Sequence, residues 1–470
     1  MSEAVVVGSG PNGLACAVAL AREGIRITVL EAEDTIGGGA RSGEITIPGL
    51  LHDHCSAVHP MAVASPFLRS LNLERHGLEW RWPDIDLAHP LDDGSAGVML
   101  RSIDRTVNEL GRDGAAWRRT FGSSARNFDS LVEDVFRTVV HVPSHPIALA
   151  RFGLRSAMPA TALTRTWKTA SARALFGGVA AHAQTPLDHF MSSAVGMMLV
   201  AACHRYGWPV ARGGSQSITT ALVAVLYELG GKIETGVRVR SLTEIPRADA
   251  IVLDVAPSAA ADIAGDRLPG RVARAYRKYR HGPAAFKVDF AIDGGIPWTN
   301  ESCRRAGTVH VAGSFEEIVD AERDVNRRRM PVRPFVLVSQ QYLVDPDRSA
   351  GNVHPVWAYA HVPNGYEGDA EQPLIDQIER FAPGFRDRIV AKTAQSTTAI
   401  SARNANYVGG DIAGGANSPL QLVMRPRITL DPYRTGIPGV YICSAATPPG
   451  AGVHGMCGYN AAQSVLRAMR

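Results

Sequence analysis

Ala4-Val-Val-Val-Gly-Ser-Gly-Pro-Asn-Gly13 is the stretch whose reading decides the fold. Ala4 to Val7 is short and wholly apolar, as expected of a strand buried on both faces of a parallel sheet. Gly8 permits a tight turn, Gly10 lets a pyrophosphate approach the backbone, and Gly13 lets the next helix pack closely on the strand. Leu14, Ala17, Val18 and Ala21 recur at helical spacing and predict a helix from about Asn12 to Glu23. The N–H groups and dipole at its start favour phosphate. Gly24 ends it, and Arg26 to Leu30 returns as a second strand. Glu31 lies roughly 20 residues beyond the glycines, where a carboxylate accepts from ribose hydroxyls. A bare glycine turn in an ordinary βαβ unit would explain the glycines alone. Strand, turn, helix, strand and acid in register predict dinucleotide binding.

The fingerprint leaves NAD or FAD open. Gly37-Gly-Gly-Ala-Arg41 follows the acid within a few residues and argues for FAD. Its glycines allow a second close pass of backbone along the pyrophosphate, and Arg41 can supply countercharge. The other end of the chain has a matching feature. Gly439-Val-Tyr-Ile-Cys443 is followed by the glycine-rich run Pro449-Gly-Ala-Gly-Val-His-Gly455, suited to bringing backbone close to a flat ligand at a helix start. Both ends of the chain thus read as parts of one flavin site.

With these segments in hand, the sequence resembles the phytoene desaturase family of FAD-dependent oxidoreductases, in the branch named for a pyridine nucleotide-disulfide oxidoreductase domain. The likeness runs through His52-Asp-His-Cys-Ser-Ala-Val-His-Pro60, Gly213-Gly-Ser-Gln216, Gly282-Pro-Ala-Ala-Phe-Lys-Val-Asp289, Pro297-Trp298, Ala382-Pro-Gly-Phe385 and Gly409-Gly-Asp-Ile412. It ends in Cys443-Ser-Ala-Ala-Thr-Pro-Pro-Gly450 and Val453-His-Gly-Met-Cys-Gly-Tyr-Asn460, the most specific of these runs. The resemblance implies that tail amides approach the flavin C2 carbonyl and that the backbone of Val239 bonds adenine. It places the 52–60 segment on the flavin's substrate side. Many proteins of the wider fold carry an acid where Ser444 and Ala445 stand here, so ribityl contacts must come from backbone or elsewhere. The candidate cofactor residues are Gly8, Gly10, Pro11, Asn12, Gly13, Glu31, Ala32, Gly38, Gly39, Ala40 and Arg41 near the N-terminus. Val239, Ser444, Gly452, Val453, His454 and Met456 complete them.

The expected fold class is α/β: an FAD-binding Rossmann-type domain, amine oxidase-like, interleaved with an α+β substrate domain. Residues 1–75, 207–265 and 416–470 are assigned to the first, and 76–206 and 266–415 to the second. The pattern is helical and irregular from Pro66 to Tyr206. A helix then opens after Gly213-Gly214 and closes at Gly230-Gly231. Ile233 to Leu242 and Ala250 to Val255 read as strands of the cofactor domain. Phe286, Val288, Phe290 and Ile292 alternate as a half-exposed strand would, with further strands at Val309 to Val311 and Val336 to Gln341. The chain returns to the cofactor domain near Ile428.

Composition is that of an ordinary globular chain: 470 residues, 45% hydrophobic and 20% charged. No run is apolar enough to span a bilayer, and the first residues enter a strand at once, leaving no room for a signal peptide. The net charge of +4 is diffuse, with no basic run interleaved with aromatics to suggest nucleic acid. Cys16, Cys55, Cys203, Cys303, Cys443 and Cys457 are scattered, without a Cys-x-x-Cys, which suits a reduced cytoplasmic protein and leaves no dithiol to do disulfide chemistry. There is no second Gly-x-Gly-x-x-Gly after a strand, so electrons are expected to leave by oxygen, a quinone or another carrier.

Other residues invite sharper readings. His52, His54, Cys55 and His59 have no metal-ligand spacing, and no metal is expected. His454 is a weak catalytic candidate; a structural hydrogen bond near the cofactor is the plainer reading. Trp298, Trp357 and Tyr359 suit a hydrophobic substrate channel or plain core packing. Between Arg137 and Leu187 there is no Asp or Glu, while Arg151, Arg155, Arg165 and Lys168 stand among apolar residues. That is either a solvated basic face or a peripheral membrane contact. The expected activity is hydride removal from a C–H bond of a hydrophobic, isoprenoid- or lipid-like molecule. A flavin amine oxidase and a non-catalytic lipid or prenyl escort on the same fold are the alternatives. No residue marks a catalytic base.

Overall fold

The structure, a computed structural model, describes residues 2–138 and 141–470. Residues 139 and 140, inside the acid-free stretch, lie outside the described residues.

The fingerprint strand, Glu3–Val7, sits at the centre of a five-stranded sheet. Arg26–Leu30 and Lys232–Glu234 lie on one side of it, and Ala250–Leu253 and Val440–Ile442 on the other. Every pairing is parallel, with Val7 level with Leu30 and with Leu253. Strands from both ends and the middle of the chain therefore build one sheet, and their carboxyl ends open on one crevice. Ligands bind in that crevice in open α/β sheets.

The first helix is Pro11–Ala21, buried on almost every side through Leu14, Cys16, Val18 and Leu20. Pro11 suits its first turn, because the missing N–H would be unpaired there anyway. It packs on the last helix, Met456–Met469, so closely that a Cβ on Gly458 would lie 1.8 Å from the Asn12 carbonyl oxygen. This contact binds the two ends of the chain together beneath the crevice.

A seven-stranded mixed sheet forms the second layer, in the order Ile389–Gln395, Ala284–Asp293, Val353–Val362, Val336–Ser339, Ala306–Val311, Ile85–Pro90, Ala96–Met99. One face is packed with Val288, Phe290, Val309, Val338, Val356 and Ala360, covered by the helix Glu371–Phe381 through Leu374 and Ile378. The opposite face meets the helix Ala170–Ala181 at Ile85–Pro90 and Ala96–Met99, and that helix in turn packs on Ala194–Tyr206.

Three sequence expectations are corrected, the first being that the strand read as half-exposed at Phe286 to Ile292 is buried on both faces. The strand expected over Ile233 to Leu242 spans only Lys232–Glu234; Gly236 turns left-handed at φ 72° and breaks it, and Leu242–Glu244 is a 3-10 turn. The region read as helical and irregular also supplies the last two strands of the seven-stranded sheet, Ile85–Pro90 and the edge strand Ala96–Met99. Asp86 and His89 inside a fully buried strand hid its hydrophobic pattern.

Candidate functional site

A cavity of about 510 Å³ runs from the carboxyl ends of the parallel strands to the inner face of the seven-stranded sheet. At its first end the wall is Leu30 to Glu33, with Val237 and Val239 opposite. Glu31 is buried. Its Oε2 accepts from Ser9 N–H at 2.8 Å and Ser9 O–H at 2.5 Å, and its Oε1 from Glu33 N–H at 3.0 Å. A carboxylate offers about four lone pairs, so one acceptor position remains toward the cavity.

Next come Gly8 to Asn12, facing Asp254. Gly8 is left-handed at φ 104°, and a Cβ there would lie 2.9 Å from the Asp254 carbonyl oxygen. A Cβ on Gly10 would lie 2.9 Å from Asp254 Oδ2, and one on Gly13 only 2.1 Å from the Gly8 oxygen. Asp254 Oδ2 accepts from Gly13 N–H at 2.8 Å. Burial, with Glu31 adding to it, pushes this acid up to about 7.

The middle of the cavity lies between Gly38, Gly39 and Arg41 on one side and Ser444 to Ala446 on the other. Asn12 Oδ1 and Ser444 Oγ are buried on this wall without a hydrogen-bond partner. Buried polar atoms seldom stay unpaired, so they mark places where a ligand completes the bonding. With the glycine turn, the helix start and the acid beyond it, the residues fit a dinucleotide.

Beyond this point the wall is Cys55 to Ala62, with Gly452 and Val453 opposite. A recess of about 20 Å³ opens from it, enough for one water, lined by Lys287, His54, Cys55, Tyr407 and Gln395. Lys287 is buried, forms a short ion pair with Asp289 and lies 5.9 Å from the Trp357 ring centre. Burial lowers its pKa, opposed by the Asp289 charge. Asp289 Oδ2 also accepts from Gln395 Nε2 at 2.9 Å.

The 52–60 segment is fixed from below. Arg348 is buried and donates from Nη1 to Asp53 Oδ2 at 2.6 Å and from Nε to Asp345 Oδ2 at 2.7 Å. Asp53 Oδ1 in turn accepts from Ser42 O–H and Ser215 N–H. His59 Nε2 meets Ser215 Oγ at 2.8 Å, and His52 Nε2 meets Thr46 Oγ1 at 2.8 Å.

Of the candidate cofactor residues, Gly8, Gly10, Pro11, Asn12, Glu31 and Ala32 line the cavity, as do Gly38, Gly39, Arg41, Val239, Ser444, Gly452 and Val453. Gly13, Ala40, His454 and Met456 are not on its wall. His454 Nδ1 accepts from Met456 N–H at 3.0 Å, and its carbonyl accepts from Ser65 O–H at 2.7 Å. These bonds hold the start of the last helix. Trp357 and Tyr359 line the far chamber, whereas Trp298 lies in the core on the other side of the sheet.

Comparison with known proteins agrees with this geometry. The NAD(P)-binding Rossmann-like domain family matches residues 6–71. Pyridine nucleotide-disulfide oxidoreductase domain-containing protein 2 of Mus musculus is 24% identical over 100% of this chain and 94% of its own length. Over its full length, this chain is a relative of that protein. Among solved structures, an oxidoreductase from Methanosarcina mazei superposes with a TM-score of 0.65 at 14% identity, covering 99% of this chain and 100% of the other. Putrescine oxidase gives 0.59 at 16% identity, covering 100% and 98%. The fold is that of flavin-type oxidoreductases, similar to amine oxidases.

Sequence reasoning missed Asp254, Lys287, His182, Gln184 and Thr308. Asp254 had a signal: it directly follows a buried parallel strand, where side chains meet the crevice. Lys287 and Asp289 had another, two charges at alternate positions in a run that is otherwise apolar from Ala284 to Ile292.

Proposed function

We propose that this chain is an FAD-dependent oxidoreductase that removes hydride from a C–H bond of a mostly apolar substrate. The observation that carries this reading is the continuity of the cavity, from the glycine turn to a chamber walled by Val195, Leu199, Trp208, Leu337, Trp357 and Tyr359. Bound FAD would supply the two-electron acceptor. Gly8 to Asn12 and the start of the first helix would hold its pyrophosphate, Glu31 its ribose, and backbone at Gly452 and Val453 its ring system. Lys287 would hold or move a proton through a water in the adjoining recess. The sheet and the 52–60 segment would shield the reacting carbon from water.

The likeness to putrescine oxidase favours an amine oxidase as the second reading. Trp357 and Tyr359 stand edge to face at 5.1 Å, which suits an apolar group as well as an amine. The acids on the cavity wall, Glu31, Glu33 and Asp254, all lie at the dinucleotide end, and none faces the chamber to pair with an ammonium. An escort without a cofactor would have no use for the close glycine contacts.

Two measurements test the proposal. The purified protein should carry flavin absorbance near ~450 nm. Anaerobic bleaching of that band by alkenes or alcohols, faster than by amines, supports dehydrogenation, and the reverse order installs the amine reading. Gly10→Val should purify without flavin, since a β-branched side chain would fill the pyrophosphate's space. A variant with normal flavin content would refute the cradle.

We also propose peripheral contact with anionic membrane through the acid-free stretch. No helix among the described residues is long and apolar enough to cross a bilayer. The helix Pro146–Ser156 exposes Ile147 and Leu154, at 70% and 74%, with Arg151 between them. Arg173 turns away and pairs with Glu316. Each exposed basic residue near an anionic surface contributes about 1 kcal/mol, screened by salt. Liposome flotation should fall with salt and with Gln at Arg151, Arg155, Arg165 and Lys168. A chain that stays unbound at low salt refutes the contact.

A further inference from the structure

The far end of the cavity carries polar atoms that the described residues leave unsatisfied. Thr308 Oγ1, Gln184 Oε1 and Trp357 Nε1 are all buried, on the wall, and without a hydrogen-bond partner. Each unmade bond of this kind costs stability. Three around one chamber are hard to explain as packing accidents. They are expected where a bound group completes the set.

His182 lines the same chamber. Its Nε2 lies 3.0 Å from His310 Nε2, so one ring donates and the other accepts. Burial lowers the pKa of His182 to about 3 and takes His310 well below its usual range, so both rings are neutral. One proton is therefore shared between them. When His182 donates it, its Nδ1 is a lone pair; when His182 accepts, its Nδ1 carries hydrogen. The pair can present either role to a ligand. Gly178 keeps the second ring in place: a Cβ there would lie 2.6 Å from His310 Nδ1 and 3.0 Å from His89 Nδ1.

The chemistry of this end is narrow. Its remaining wall is apolar, from Val195, Leu199, Trp208 and Leu337. No carboxylate on the wall could pair an ammonium here, and the neutral imidazoles offer no charge to a carboxylate. A carbonyl group could accept from Trp357 Nε1 but could give nothing to Gln184 Oε1. A hydroxyl donates and accepts at once.

We propose that this end of the cavity is a subsite for a neutral hydroxyl on an otherwise apolar substrate, held by His182, Thr308 and Gln184. The proposal rests on the oxidoreductase reading and narrows its substrate to amphipathic alcohols.

Titration calorimetry of the purified holoprotein tests it, with 1-octanol, its isomer heptyl methyl ether, octylammonium and octanoate as probes. The isomers share size and atoms, and differ in that the ether cannot donate. Octanol should bind at least about tenfold tighter than the ether, and both ions should bind more weakly than octanol. Thr308→Val and His182→Phe should each bring the octanol-to-ether ratio toward one. Flavin content should stay unchanged. A ratio near one in the wild type overturns the subsite. So does a ratio that survives both variants, tighter binding of octylammonium, or no octanol binding. A protein that purifies without flavin refutes the cofactor reading alone, because the heat of binding still reads the subsite.

Discussion

The two faces of the seven-stranded sheet are made by the same strands and do different work. In Ala284–Asp293, Val288, Phe290 and Ile292 point to one side, and Lys287 and Asp289 to the other. In Ala306–Val311, Val309 and Val311 face the first side and Thr308 and His310 the second. Both faces are buried, so solvent does not explain the division. The outer face is a core in which every side chain finds an apolar neighbour. The inner face borders the cavity, and burying ions and unpaired hydroxyls there costs stability. On the function proposed above, the sheet retains such residues on one face for a ligand.

The largest expected effects test that contrast. Phe290 is fully buried and packs edge to face on Phe385 at 5.2 Å. Phe290→Ala should destabilise the fold by about 3–5 kcal/mol in denaturant titration, with flavin content and substrate response retained at low temperature. On the inner face, Lys287→Met leaves Asp289 buried without its cation and should also cost about 3–5 kcal/mol. The faces then part company. Lys287→Met combined with Asp289→Leu removes both charges, and most of the lost stability should return while substrate-driven flavin bleaching stays slow. A double variant that bleaches at the wild-type rate would make the pair structural, and the two faces would no longer differ in kind.

The same division governs what could be read from the sequence. The nucleotide end was legible because its constraints are local. Gly8, Gly10, Gly13 and Glu31 fall within a single βαβ unit, and each answers to backbone geometry. The substrate end was not legible. His182, Thr308 and Trp357 are far apart in the chain and meet only because Ala306–Val311 and Val353–Val362 lie in one sheet beneath the helix Ala170–Ala181. Within each segment, a lone His or Thr has no partner to give it meaning. The strand Ile85–Pro90 was missed for a related reason: its polar residues face inward, where a sequence pattern predicts apolar ones.

Asp254 brings the comparison to the nucleotide end, where a second buried acid stands on the cavity wall beside Glu31. Its pKa is raised to about 7 from an ordinary 3.8. Between those values the folded protein holds a proton that the unfolded chain has released. The unfolded state binds fewer protons there, so stability falls as pH rises from about 4 to about 7 and is level above. Asp254→Asn keeps an acceptor for Gly13 N–H and removes the ionisation. In cofactor-stripped protein the variant should match the wild type near pH 4 and exceed it by about 4 kcal/mol at pH 8. Thermal melts of both proteins across that range check it. Parallel pH profiles would mean that Asp254 ionises normally, its charge met by the glycine turn. A pyrophosphate would then have to bind against a standing carboxylate, and the nucleotide end would be as strained as the inner face of the sheet.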